Sequence, residues 1–112
     1  MDPKIWGPHL WFFLHSMSFT YAANRKKATT EEKIQMYNFL ESLKFVLPCD
    51  ICRVNYSNFL DKNPPKLNSR KELFRWLVDL HNCVNGECGS KHKRQYTYDE
   101  VEKLYKEVYN QK

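Results

Sequence analysis

Two cysteines three positions apart form the first group of residues that could do chemistry. Cys49 and Cys52 follow Pro48 directly after an apolar run, where a helix is expected to begin. Positions three apart share one face of a helix, so both sulfurs can meet on its first turn. The unpaired N–H groups of that turn favour a thiolate and make the sulfur more nucleophilic at neutral pH. The pattern indicates dithiol–disulfide chemistry or half of a zinc site, with two buried apolar cysteines as the plainer alternative.

A second group lies near the N-terminus. Gly7, Trp11 and His15 fall at i, i+4 and i+8, which places them on one stripe of a helix beside the apolar stripe through Leu10 and Leu14. A glycine on that stripe lets something flat lie close to the backbone. The tryptophan offers a stacking surface and the imidazole a hydrogen bond. An aromatic-rich core helix with a partly buried histidine would show the same spacing.

A third group stands where the fourth helical segment ends. His81 and Asn85 are four positions apart and share a face, with Asn82 alongside. An imidazole and two amides at a helix end can hydrogen-bond a heteroaromatic ring or a ribose. Asparagine also commonly ends helices, so a C-cap explains this group equally well.

The elements that must position these groups are helices. Apolar residues recur at helical intervals in five segments, and no segment shows the apolar–polar alternation of a strand. Capping boxes at Thr29, Ser69 and Thr97, each with a glutamate three residues later, mark helix starts. The predicted fold is all-α: a four-helix up-and-down bundle with an additional short C-terminal helix.

Composition limits the function classes. The 112 residues are expected to form a single domain over 1–112, long enough to bury a core without metals or many disulfides. A net charge of +5 suggests an anionic partner, either the phosphates of a nucleotide cofactor or a nucleic acid. No apolar run approaches the ~20 residues that span a bilayer, and no signal peptide is recognisable. Four cysteines in such a protein indicate catalysis or metal binding rather than a secreted disulfide framework.

The three groups together resemble the Erv/ALR family of FAD-linked sulfhydryl oxidases. The family pattern is W-G-x-x-x-W-x-x-x-H, then C-x-x-C, then H-N-x-V-N, and this chain matches it in that order from about residue 5 to residue 105. The short length looks most like the compact members carried by large DNA viruses. The resemblance implies FAD at one end of the bundle, with Cys52 beside the flavin and Cys49 exchanging with substrate. It implies these cofactor-binding residues: Trp6, Gly7, Trp11, His15, Tyr37, Tyr56, His81, Asn82, Asn85, Lys91, Lys93 and Tyr105.

The implied reaction is thiol oxidation that forms disulfide bonds in protein substrates. Electrons pass through the cysteine pair to FAD and then to dioxygen, which yields hydrogen peroxide. A protein dithiol or a thioredoxin-like relay protein is the expected partner, and a homodimer the expected assembly, with no nucleic acid and no membrane. The expected location is intracellular: the host cytoplasm or the virion for a viral member, or the mitochondrial intermembrane space.

Two features depart from the family pattern. Glu87 stands where a lysine is usual, which weakens any single assignment of a phosphate ligand. Lys91, Lys93 and Arg94 follow the third motif closely enough to supply cations for the pyrophosphate, and a solvated basic loop would show the same residues. Cys83 and Cys88 are left over, and a chain that turns back near Gly86 brings them within disulfide range. A local structural disulfide is favoured there over a shuttle pair or free thiols.

The strongest rival is a zinc-binding helical structural module. Cys49 and Cys52 with His81, Cys83 or Cys88 would supply four N and S ligands. Against it, the asparagines beside His81 are not ligands that zinc favours, and the Trp-Gly element would have no role. A thioredoxin-type oxidoreductase needs strands, and the scattered cations do not form a nucleic-acid recognition helix.

Overall fold

The computed structural model describes residues 1–23, 25–87 and 96–110, with the backbone alone at 85–87. These ranges are helical and contain no strand: α1 spans Pro3–Ser18, α2 Thr30–Val46, α3 Asp50–Lys62, α4 Arg70–Glu87 and α5 Tyr98–Tyr109. The predicted all-α class, with four helices followed by a short fifth, is confirmed. None of the helices in the described ranges has the length and apolarity that crossing a bilayer requires.

Side-chain caps fix where the helices begin. At α2 the Thr29 hydroxyl accepts a hydrogen bond from the Glu32 N–H at 3.1 Å, and the Glu32 carboxylate accepts one from the Thr29 N–H at 2.8 Å. The same hydroxyl bond to the third helical N–H begins α4 at Ser69 and α5 at Thr97. Each cap satisfies an N–H group that the helix itself leaves unpaired.

The connection between α2 and α3 is tight because of a proline. Leu47 precedes Pro48 and is extended, with ψ 131°, since the helical region is disfavoured before proline. Cys49 is also extended and becomes the N-cap of α3, its Sγ accepting a hydrogen bond from the Cys52 N–H at 3.3 Å. The cysteine pair therefore sits at the first turn of α3, as its position in the sequence predicts.

Helix α4 is the centre of the packing. It contacts α1, α3 and α5, while α2 packs on α3 and α5 also contacts α1. One face of α4 buries Leu73 and Leu77 in the main core, and another buries Phe74 and Val78 against Val101 of α5. The second stripe is what attaches α5 to the bundle.

Candidate functional site

A cavity of about 700 Å³ opens between α1, α3, α4 and α5, next to the end of α2. This volume is typical of small-molecule and cofactor sites. Eight predicted site residues border it: Trp6, Gly7, Trp11, His15, Cys52, Tyr56, His81 and Tyr105. The packing of four helices thus brings together groups that lie far apart in the sequence.

One side of the cavity is a wall of stacked rings, which we call the histidine wall: Trp11, His15 and His81. The ring centroids of Trp11 and His81 are 4.0 Å apart, with their planes 12° from parallel. Nε2 of His15 lies 3.3 Å from Nδ1 of His81. Because these residues come from α1 and α4, the wall exists only when the two helices are packed together.

His15 is held in its neutral form. The residue is 1% exposed, and burial, followed by the nearby His81, lowers the pKa of His15 from 6.5 to about 3. Its Nδ1 is buried without a hydrogen-bond partner. Buried polar atoms in proteins are normally paired, so this unpaired nitrogen is an exception within the histidine wall.

Gly7 leaves the backbone of α1 accessible beside that wall. A Cβ built on this residue would meet no atom within 4 Å, so there is open space where a side chain would project. Gly7 itself borders the cavity. A ligand can therefore approach the helix backbone more closely at Gly7 than it could if this position carried a side chain.

The lining of the cavity also includes one residue of the cysteine pair. Cys49 and Cys52 form a disulfide, with their Cα atoms 5.2 Å apart. Both residues are half-buried, but Cys52 borders the cavity and Cys49 does not. One sulfur of the pair is thus placed toward a bound ligand and the other away from it.

Arg53 is a cation beside the disulfide that the sequence analysis missed. Its guanidinium donates to the Leu47 carbonyl oxygen and pairs with the Asp50 carboxylate, which ties the end of α2 to the start of α3. A cation and a helix N-terminus both favour a thiolate over a thiol. The i, i+3 spacing of Asp50 and Arg53 was the available signal.

Tyr56 joins α3 to α2 at the floor of the cavity. Its hydroxyl donates to the Leu40 carbonyl oxygen at 2.6 Å, and its side chain is buried. Burial raises the pKa of Tyr56 above its usual value, so the hydroxyl stays protonated and keeps this bond. The residue therefore holds the cysteine-bearing helix in place as well as bordering the cavity.

Tyr37, one of the expected cofactor-binding residues, does not border this cavity. Its side chain is 46% exposed, and its hydroxyl donates to the Glu41 carboxylate at 2.8 Å. It borders a separate shallow groove. The reason is its position on α2, where the buried face is formed by Leu40 and Leu43.

Asn82 also differs from the expectation. Its Nδ2 donates to the Tyr96 carbonyl oxygen at 2.8 Å, and its Oδ1 accepts a bond from the Tyr96 N–H at 2.7 Å. Asn82 does not border the cavity, whereas Tyr96 does, with its ring 5.6 Å from that of His81. The sequence offered no signal for Tyr96, because its placement depends on how the chain returns to the bundle after α4.

Some predicted site residues lie outside the ranges that the structure describes. These are the side chain of Asn85, together with Lys91, Lys93, Arg94 and Cys88. The proposed disulfide between Cys83 and Cys88 therefore stays a prediction. Lys4 is the lysine that borders the cavity within the described ranges, and the sequence analysis did not select it.

The donor set of the zinc alternative is not assembled. Cys49 and Cys52 are bonded to each other, and His81 stacks on Trp11 with its Nδ1 toward His15. Among the residues that the structure describes, no three side chains of the metal-ligating types come close enough to hold an ion.

Comparison with known proteins gives a consistent result. Residues 8–107 match the model of the Erv1/Alr family. The chain is 39% identical over 104 residues to a probable FAD-linked sulfhydryl oxidase of Acanthamoeba polyphaga mimivirus, covering 90% of this chain and 68% of that protein. It is 36% identical over 105 residues to the FAD-linked sulfhydryl oxidase of an African swine fever virus, covering 91% and 81%.

A cellular relative and its solved structures are also similar. The mitochondrial FAD-linked sulfhydryl oxidase ERV1 of Saccharomyces cerevisiae is 33% identical over 84 residues, which are 75% of this chain and 43% of that protein. This chain thus spans less than half of the yeast relative. The crystal structure of the FAD binding domain of Erv1 from Saccharomyces cerevisiae superposes with a TM-score of 0.84 at 30% identity and covers 96% of both chains. The yeast Erv1 core gives a TM-score of 0.83 at 29% identity, covering 95% of this chain and 85% of that one.

Proposed function

Because the chain belongs to the Erv1/Alr family, we propose that it is an FAD-linked sulfhydryl oxidase that forms disulfide bonds in protein thiols. The observation that carries this proposal is the Cys49–Cys52 disulfide at the edge of a cavity that the stacked Trp11–His81 pair also lines. A redox-active sulfur and a surface for a flat ring are what this chemistry requires.

The residues around the cavity fit FAD. The histidine wall offers a flat surface for a ring system. The open backbone at Gly7 admits a close approach. Tyr56 and Tyr105 supply further walls. When bound, FAD supplies the capacity to take two electrons from a dithiol and pass them to dioxygen.

The phosphates of the cofactor require cations or N–H donors. We assign this role to Lys91 and Lys93, as the resemblance implies, and add Lys4. The support for Lys4 is its position at the rim of the cavity, on the first turn of α1. The net charge of +5 favours an anionic ligand in general.

The chain's own chemistry is thiol–disulfide exchange. A substrate thiolate attacks Sγ of Cys49, breaks its bond to Cys52, and leaves Cys52 as a thiolate. A second substrate thiolate attacks the substrate sulfur of the mixed disulfide, which releases the substrate disulfide and the Cys49 thiolate. We assign the attack to Cys49 because Cys52 borders the cavity. Overall, two thiols and one dioxygen give one disulfide and one hydrogen peroxide.

The leaving thiolate is stabilised by its surroundings. Cys52 is in the first turn of α3, where unpaired N–H groups carry partial positive charge. The guanidinium of Arg53 is fixed at the same turn by Leu47 and Asp50. Both effects lower the free energy of a thiolate relative to a thiol, which makes Cys52 a good leaving group.

The substrate and the assembly follow from the same proposal. A protein dithiol or a thioredoxin-like relay protein is the thiol donor, and the working unit is a homodimer. Support for the homodimer comes from large apolar side chains exposed on α1 and α2, namely Ile5, Phe12, Phe13 and Ile34. Sedimentation equilibrium tests this: a monomer at micromolar concentration would contradict it.

The proposed location depends on the relatives. Identity to the mimivirus protein is 39%, compared with 33% to the yeast mitochondrial protein. We therefore place the protein first in a host cytoplasm or virion, and second in the mitochondrial intermembrane space. Immunogold labelling of infected cells and of purified particles would distinguish these sites.

Absorbance and oxygen consumption test the activity directly. We expect purified wild type to carry flavin and to consume dioxygen with dithiothreitol as the thiol donor. The Cys52→Ala variant should bind flavin equally but show no turnover. Normal turnover in this variant would show that the assigned electron path is wrong, and failure of wild type to bind added FAD would exclude the cofactor.

A further inference from the structure

We propose that Asn82 is a positioning residue for FAD, acting through Tyr96 rather than by touching the cofactor. Its side-chain amide and the Tyr96 backbone form what we call the Asn82 clasp. The clasp holds one wall of the cavity closed. This inference rests on the proposed function only in that FAD occupies the cavity.

The clasp is a paired interaction. Asn82 donates through Nδ2 to the Tyr96 carbonyl oxygen at 2.8 Å and accepts through Oδ1 from the Tyr96 N–H at 2.7 Å. This pairing needs a donor and an acceptor side by side, which an amide has and a carboxylate does not. It fastens the last turns of α4 to the residue that precedes the cap of α5.

The fastened segment forms a wall of the cavity. Tyr96 borders the cavity next to His81, and Val101, Leu104 and Tyr105 of α5 continue the same wall. Asn82 is on the neighbouring helix and does not border the cavity itself. The proposed influence of Asn82 on a bound cofactor therefore acts through the position of this wall.

A second attachment lies further along the chain. The Tyr98 hydroxyl donates to the Asp79 carboxylate at 2.7 Å, and Val101 is buried with Phe74 and Val78. These contacts do not involve Asn82. Removal of the clasp should therefore release the segment at Tyr96 that leads into α5, while α5 itself stays packed on α4. We therefore expect an Asn82 variant to fold.

The first experiment compares Asn82→Ala with Asn38→Ala, a change of the same size on the exposed face of α2. In FAD-saturated protein we expect Asn82→Ala to release FAD about three- to tenfold faster, because two hydrogen bonds are lost. Amide hydrogen exchange at Tyr96 should accelerate in the same variant. Asn38→Ala should change neither rate.

Each other outcome overturns the proposal that the clasp positions FAD. Faster FAD release with unchanged exchange at Tyr96 would mean that Asn82 contacts the cofactor directly. Faster exchange with unchanged release would mean that the clasp is structural alone, and two unchanged rates would remove any role. If wild type failed to bind FAD, the proposed function would fail, while the exchange at Tyr96 would still show whether the clasp exists.

The second experiment uses pH to restore the clasp. In Asn82→Asp the ionised carboxylate cannot donate to the Tyr96 carbonyl oxygen, but the protonated acid can. FAD release relative to the matched Asn38→Asp variant should be severalfold faster near neutral pH. The ratio of the FAD release rate of Asn82→Asp to that of Asn38→Asp should fall toward one as the pH drops toward the usual aspartate pKa of about 4. A ratio that does not change with pH would contradict the pairing.

Discussion

The two sides of the cavity are built in different ways. The histidine wall depends on α1 meeting α4, since Trp11 and His81 are distant in the sequence and His15 is fully buried. The disulfide side depends on one helix start, where Cys49, Cys52 and Arg53 lie within five residues. The binding surface is therefore a product of the whole fold, whereas the reactive pair is a product of local structure.

The largest expected effect separates the two sides by function. Cys49→Ala should lower turnover with dithiothreitol by about a thousandfold or more, with FAD affinity within about twofold of wild type, because the sulfur that accepts the attack is gone. His81→Ala should weaken FAD binding about tenfold through loss of the stack, and keep most of its turnover at saturating FAD. Fluorescence titration of FAD and oxygen consumption measure both. An equal weakening of FAD binding in the two variants would contradict this separation of roles between the two sides.

The second prediction concerns stability near each side. Phe74, which is 1% exposed, contacts His15, with ring centroids 6.0 Å apart, and Phe45, which is 79% exposed, lies at the end of α2 before the cysteines. Phe74→Ala should lower the free energy of unfolding by about 3–5 kcal/mol, since it leaves a core cavity. Phe45→Ala should change it by less than about 0.5 kcal/mol. Urea denaturation compares them, and a cost above about 2 kcal/mol for Phe45→Ala would mean that its ring is buried in an assembly.

The third prediction is a pH dependence specific to the histidine wall. The pKa of His15 is about 3 in the folded protein and about 6.5 when unfolded, so the unfolded state binds the extra proton between these values. The stability that neutral His15 contributes is complete above pH 6.5 and is lost as the pH falls toward 3. Between about pH 7.5 and 5.5, wild type should lose about 1.4 kcal/mol more than His15→Leu. Equal losses measured by denaturation at both pH values would contradict this.

The smallest expected effect belongs to the disulfide side. Arg53→Gln should raise the pKa of the reduced cysteines by a few tenths, because a nearby cation is removed. Unfolding free energy should change by less than about 1 kcal/mol. The pH dependence of alkylation of the reduced protein measures the pKa, with Arg25→Gln as a matched control, since Arg25 also pairs with a carboxylate but on the loop before α2. An equal shift in both variants would remove the specific role of Arg53.

The same contrast explains what could be predicted from the sequence. Gly7, Trp11 and His15 share a helical spacing, so their common face follows from local geometry. The cysteine pair and its place on the first turn of α3 also follow from neighbouring residues. The helices themselves were predicted for the same reason, since periodicity and caps are local signals.

The rest depended on contacts between distant segments. The place of Tyr96 and the second buried stripe of α4 appear only when α5 returns to the bundle. The amide of Asn82 was expected to meet a cofactor, yet it bonds a backbone fourteen residues away. The exposure of Tyr37 could not be foreseen, because the sequence gives the type of an aromatic residue on a helix but not which face the fold will bury.

The sulfur cap of α3 has a consequence for the enzyme's two oxidation states. A bonded sulfur is a weak acceptor for the Cys52 N–H, whereas a Cys49 thiolate in the same place would be a charged and stronger one. Gaining two electrons would thus remove the covalent bond within this turn and at the same time strengthen the hydrogen bond that caps it. Part of the constraint on the start of α3 would then be kept in the reduced protein.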